Sequence, residues 1–139
     1  MSIKNLNPYL NFNGTAGKAI KLYESALGAK VLSVMPFRDA PGESAAATKD
    51  RVMHASLQIG DGVVMLSDTM PNMPPPAGNN MHVSVNCDDA ADMAKKFDAL
   101  AVGGQVRMPL QDTFWGAKFG MLTDAFGINW MFNCELKQG

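Results

Sequence analysis

The chain has almost no net charge to direct it toward a partner. Twelve basic residues against 13 acidic ones leave a formal charge of -1, and Lys and Arg are scattered, so nothing draws in a polyanion. Nucleic acid and anionic membrane are excluded as partners on that ground. Long apolar runs are also missing: none approaches the roughly 18 residues that a spanning helix needs. Met1-Ser2-Ile3-Lys4-Asn5 leads into strand-like sequence without an apolar signal core, so a cytoplasmic protein is expected. Cysteine is scarce. Cys87 and Cys134 have neither CxxC spacing nor enough histidine nearby for a zinc framework, and they read as buried thiols. HExxH, GxSxG, a P-loop and a dinucleotide fingerprint are all absent, which removes zincin, serine hydrolase, nucleotidase and Rossmann readings.

What is present is a repeat. With 47% hydrophobic and 18% charged residues in 139, the composition suits one core-forming domain. A strand-like Leu10-Asn11-Phe12 precedes an Ala-rich helix over 15–27, and Val83-Ser84-Val85 precedes another over 89–100. Tyr23 and Phe97 sit at matching places, and glycine follows each helix at Gly28 and Gly103-Gly104. The spacing predicts inward stripes of Ala16, Ala19, Ile20, Tyr23, Ala26 and Leu27 in the first helix, and of Met93, Ala94, Phe97, Leu100 and Ala101 in the second. Thr15 is the expected N-cap of one and Asp88 or Asp89 of the other. Strands are expected at 30–36, 54–59, 63–67, 105–108, 119–123 and 128–134. The fold class is therefore α+β, a single domain over 1–139 built of two βαβββ modules at about 5–69 and 80–136. A Pro-rich linker over 70–79 joins them. Residues 38–50 and 109–116 read as loops. Duplication of a unit that cannot bury its apolar face alone puts a candidate site between the copies.

Strand alternation separates core from open face. A two-residue turn at Gly60-Asp61 or Asp61-Gly62 puts Met65 with His54, Ser56 and Gln58, leaving Ala55, Leu57, Val64 and Leu66 for the helix. By the same parity Asn7, Tyr9 and Asn11 share a face, as do His82, Ser84 and Asn86, and Asn129, Met131 and Asn133. This open face is polar, rich in Met and nearly free of carboxylates. Polar groups left unpaired in a dry core would cost about 1 to 3 kcal/mol each, so a solvated or ligand-filled concavity is expected there.

The paired halves, the opening Asn7-Pro8-Tyr9-Leu10-Asn11-Phe12-Asn13-Gly14, and Ala19-Ile20-Lys21-Leu22-Tyr23 before Leu27-Gly28-Ala29 resemble the vicinal oxygen chelate superfamily of glyoxalases, bleomycin-resistance proteins and dioxygenases. His54-Ala55, Met65-Leu66-Ser67-Asp68, Thr113-Phe114-Trp115-Gly116 and Thr123-Asp124-Ala125-Phe126-Gly127-Ile128-Asn129-Trp130-Met131 resemble its PhnB-like branch. The resemblance implies a small-molecule cavity in curved sheets and self-association as a homodimer. Metal-using members take one ligand from the first and one from the last strand of each half. Carried over, those positions are Asn7 or Tyr9, Met65, His82 and Met131, of which only His82 is a good ligand for zinc or a hard divalent ion.

Two functions are therefore carried forward. The first is a binding protein, without a metal cofactor, for a small and partly apolar molecule, contacted by Tyr9, His54, Gln58, Met65, His82, Asn86, Trp115, Asn129 and Met131. The second is a metal-dependent lyase, isomerase or dioxygenase using His82, with His54 as the other candidate catalytic group. Asp68 and Asp124 beside turns read as structural.

Overall fold

A computed structural model describes residues 3–37, 51–71, 75–76, 78 and 80–136. The loop expected over 38–50, and residues 72–74, 77 and 79 of the expected linker, lie outside the described residues. Two compact units divide the chain, Met1–Pro76 and Ala77–Gly139.

Unit 1 runs β1 (Tyr9–Phe12), α1 (Ala16–Leu27), β2 (Lys30–Pro36), β3 (Val52–Ile59) and β4 (Gly62–Asp68). Its sheet order is β1-β4-β3-β2, with β1 parallel to β4 and the other pairs antiparallel. Unit 2 repeats the plan as β5 (Val83–Cys87), α2 (Ala90–Ala101), β6 (Gln105–Asp112), β7 (Ala117–Thr123) and β8 (Asn129–Glu135), in the order β5-β8-β7-β6. The paired α+β modules match the expected fold class. In each unit the crossover helix covers one face of the sheet, because a parallel pair needs a long connection and the helix supplies it.

The core follows the alternation of the strands. Leu10, Phe12, Ala55, Leu57, Val64 and Leu66 are buried against α1, whose inward stripe is the expected one from Ala16 to Leu27. In unit 2 Leu122, Trp130, Phe132 and Cys134 pack under Met93, Phe97 and Leu100 of α2. Ala94 and Ala101, expected in that stripe, are only half-buried. Their methyl groups are too short to reach a sheet whose edge strand β6 stays largely exposed.

Local departures have local causes. Thr15 occupies the N-cap position of α1 but makes no capping bond; the backbone N–H of Ala16 donates instead to the buried Asp68 carboxylate at 3.0 Å. Asp68 also accepts from the Val52 N–H at 2.9 Å, so one side chain ties the helix start to two strands. Asp89 caps α2 in the ordinary way, accepting from Ala91 and Asp92 N–H. β6 continues to Asp112, where a loop was expected from Pro109. Proline is tolerated there because β6 is an edge strand and its register shifts between Met108 and Gln111.

The hairpin turns differ between the units. Ile59 pairs with Gly62, so Gly60 and Asp61 form a two-residue turn with Gly60 at φ +58°. Its counterpart runs from Asp124 to Ile128, where Asp124 accepts from Phe126 and Ile128 N–H while Trp130 Nε1 donates to its other oxygen at 2.9 Å. This longer turn comes down onto Gly104. A Cβ on Gly104 would meet the Thr123 carbonyl and stand 2.8 Å from the Asp124 carbonyl carbon, so no larger residue fits. Continued one residue back, the register alignment of β2 with β6 makes Ala29 the counterpart of Gly104 in unit 1.

Candidate ligand-binding faces

Each unit has one sheet face that its helix does not cover. In unit 1 it carries Tyr9 and Asn11 from β1, Met65 and Ser67 from β4, and His54, Ser56 and Gln58 from β3. Met65 stands in register between Tyr9 on one side and Ser56 on the other. The imidazole of His54 is fixed at both nitrogens: Nδ1 lies 3.1 Å from the Tyr9 hydroxyl and Nε2 lies 3.3 Å from the Ser56 hydroxyl. The two hydroxyls can each donate to or accept from the ring, so the pair can satisfy either tautomer of the imidazole. The Tyr9 and His54 rings also pack at 5.7 Å between centroids. Ser67 donates to Asn11 Oδ1 at 3.3 Å, and Asn7 Nδ2 donates to the Val63 carbonyl at 3.0 Å. Gln58 is exposed, and its amide donates to the Gly60 carbonyl at the turn.

In unit 2 the corresponding face carries Ser84 and Asn86, then Asn129, Met131 and Asn133, then Phe119, Met121 and Thr123. Met131 pairs with Met121 and Ser84, as Met65 pairs with Ser56 and Tyr9. His82 is half-buried just before β5. Asn129 is committed to structure, because its amide donates to the Gly78 and Met81 carbonyls while its oxygen accepts from Thr123. Trp115 is 55% exposed in the turn between β6 and β7 and edge-packs Phe119 at 5.8 Å. Phe114 beside it is 97% exposed, so neither ring is buried beneath a loop. Hydrogen bonds between Thr113 and Ala117 make that turn rigid. The carboxylate in register with this face, Glu135, stands at the last rung of β8 opposite Ala117.

The nine sequence-predicted site residues thus divide by unit. Tyr9, His54, Gln58 and Met65 share the open face of unit 1, whereas His82, Asn86, Trp115, Asn129 and Met131 belong to unit 2. The sequence-based list omits Ser56, the hydroxyl that fixes His54, as well as Phe119 and Arg107. Arg107 Nε donates to Thr123 Oγ1 at 3.1 Å, and Thr123 in turn donates to Asn129 at 2.8 Å. Ser56 was legible by parity; Arg107 depended on the register of an irregular edge strand. A separate groove of about 540 Å³ lies on the helix side of unit 2, with Ala90, Ala94, Phe97, Val106 and Leu110 in its walls. Asp98 and Lys118 also line it, but no histidine, thiol or hydroxyl does.

The donor set does not suit a divalent metal. The positions that the resemblance marks for ligands hold Asn7 or Tyr9 with Met65, and His82 with Met131, so two of the four are thioethers, which hard divalent ions bind poorly. Among the described residues no three His, Cys, Asp or Glu side chains gather to hold an ion. Cys87 and Cys134 are free thiols at paired positions of β5 and β8. Burial first, and then the Cys134 sulfur, pushes the Cys87 thiol above its usual range.

The strand order, the paired units and the match to known proteins define one class. The chain belongs to the Glyoxalase/Bleomycin resistance protein/Dioxygenase superfamily, whose family model matches residues 5–132. Within it, the chain is similar to protein PA1353 from Pseudomonas aeruginosa, at 42% identity and TM-score 0.87, covering 98% of this chain and 100% of that one. It is also similar to a PhnB protein from Bacillus cereus described as a putative 3-demethylubiquinone-9 3-methyltransferase, at 25% identity and TM-score 0.77, covering 94% and 99%. Protein YjdN of Escherichia coli (strain K12) is 30% identical, covering 96% of this chain and 97% of its own. Among the described residues no helix is long and apolar enough to cross a membrane.

Proposed function

We propose that this chain binds a small, partly apolar molecule on the open sheet faces, without a resident metal ion. The observation that carries the reading is the make-up of those faces. Polar hydrogen-bonding groups, with His54 held between Tyr9 and Ser56, surround Met65 and Met131 at two of the positions from which the resemblance has metal-using members take their ligands. Methionine adapts its shape to apolar ligand surface and is a poor ligand for hard ions. Tyr, Ser and Asn supply directional contacts that orient a ligand. A methyltransferase activity, the description of the Bacillus cereus relative, has no support in this sequence, which lacks a glycine-rich nucleotide loop after a first strand.

Native mass spectrometry of freshly purified protein tests the reading, with a co-purifying organic mass expected. Elemental analysis supplies the opposing outcome. A stoichiometric divalent ion that disappears in His82→Ala would favour the metal-dependent lyase, isomerase or dioxygenase. Self-association as a homodimer in the cytoplasm belongs to the same proposal, supported by the apolar side chains Leu32, Val34, Val106 and Phe114 left exposed. Sedimentation equilibrium should return twice the chain mass.

A further inference from the structure

The edge strands β2 and β6 break register at the same place. In β2, Val31 pairs with Leu57 and Ser33 with Ser56, leaving Leu32 as an extra residue. In β6, Val106 pairs with Leu122 and Met108 with Met121, leaving Arg107 as the extra residue. A bulge of this kind re-aims a side chain and gives two residues to one rung. The two units retain the bulge but fill it differently. Leu32 is 49% exposed and has no polar function, whereas Arg107 is turned toward the open face and held there through Thr123 and Asn129.

That chain of hydrogen bonds has a chemical consequence. Nε of Arg107 is engaged, which sets the plane of the guanidinium, while among the described residues no protein acceptor meets its two terminal nitrogens. Arg51 in unit 1 is the contrast, since both of its terminal nitrogens donate to protein oxygens, those of Thr69 and Asn13. Farther along β7 from Thr123 come Met121 and Phe119, with Trp115 against Phe119. Thr123 and Phe119 are four residues apart on one strand, or about 13 Å. The open face of unit 2 therefore has a cationic fork at one end and a Met and aromatic surface at the other.

We infer that Arg107 is an anion-binding residue, and that the ligand of unit 2 is an amphiphilic anion. A carboxylate, sulfonate or phosphate-type group meets the guanidinium, and an apolar, preferably aromatic, body lies over Met121 and Phe119. This rests on the small-molecule reading above. One guanidinium with a planar pair of free donors suits a singly charged oxyanion through two parallel hydrogen bonds.

Two fluorescent probes that share a body test it on the full chain: anilinonaphthalene sulfonate, and phenylnaphthylamine, which lacks the sulfonate. The sulfonate should bind about tenfold more tightly than the neutral compound at low salt, with the gap narrowing as salt is added. Arg107→Gln should erase the gap while leaving phenylnaphthylamine affinity unchanged; Leu32→Gln, at the equivalent bulge, should alter neither. Because Arg107 is exposed, the variant is expected to keep its fold, checked by circular dichroism. Equal affinity for both probes, or a gap that survives Arg107→Gln, overturns the anion site and leaves the small-molecule reading intact. Failure of both probes to bind overturns the two together.

Discussion

Unit 1 and unit 2 have the same strand order, the same crossover helix and the same first bulge, yet their open faces offer different chemistry. Unit 1 presents an imidazole bridged by two hydroxyls, and Arg51 is committed to backbone and amide oxygens. Unit 2 presents two facing methionines, a phenylalanine and a guanidinium with open donors. The backbone frame has been kept because register, bulge and helix contacts are mutually dependent. Residues on the uncovered face carry no such obligation, and that is where the two units diverge. Duplication here made one frame and two surfaces.

The turns sharpen the comparison most. Gly104→Ala should be the most damaging substitution, destabilising by about 3 kcal/mol or more because backbone rather than a movable side chain blocks the new methyl. Ala29→Gly, at the equivalent point, should cost about 1 kcal/mol or less. Urea unfolding of the two variants checks the contrast, and equal losses would overturn it. Next come the buried carboxylates. Asp124→Ala strands two N–H groups and an indole N–H, and should cost about 3 kcal/mol; Asp68→Ala strands two N–H groups and should cost about 2 kcal/mol. Thermal unfolding of both should give the larger fall in Tm for Asp124→Ala.

Smaller effects test the surfaces. Because its thiol is pushed up, Cys87 holds less thiolate at neutral pH than an ordinary cysteine, so iodoacetamide should label it slowly and faster as pH rises beyond the usual thiol range. Peptide mass mapping across pH follows this, and rapid labelling at neutral pH would contradict the upward push on the Cys87 thiol. Leu32→Ala should change stability by about 0.5 kcal/mol at most, since the bulge already leaves that side chain in solvent.

Much of this architecture was legible in the sequence because it is local. Helix stripes, the glycine after α1 and the inward parity of Leu57, Leu66, Trp130 and Phe132 follow from periods of 3.6 and 2 residues. The resemblance carried in Phe114-Trp115-Gly116 and in the Asp124 segment pointed to the right superfamily. What escaped is non-local. Asp68 caps α1 from 52 positions away, so Thr15 looked like the cap. β6 runs through Pro109 because its N–H side needs no partner, and whether a strand is an edge cannot be read within the strand. The bulge at Arg107 exists only relative to β7. Where Ser56 and Arg107 act depends on which strand lies beside theirs.

The parallel pairing that closes each sheet bears on how the chain reaches its native state. Asn7 hydrogen-bonds Val63 across 56 positions, and Tyr9 meets Met65 in the same ladder. The first strand must therefore wait for the last strand of its own unit before it can be zipped in, a loop closure that slows folding relative to a hairpin meander. On the ribosome, however, nothing in that ladder requires sequence beyond Asp68. The first sheet can close while the second is still being synthesised, which limits the time its unpaired edge is exposed to neighbouring chains.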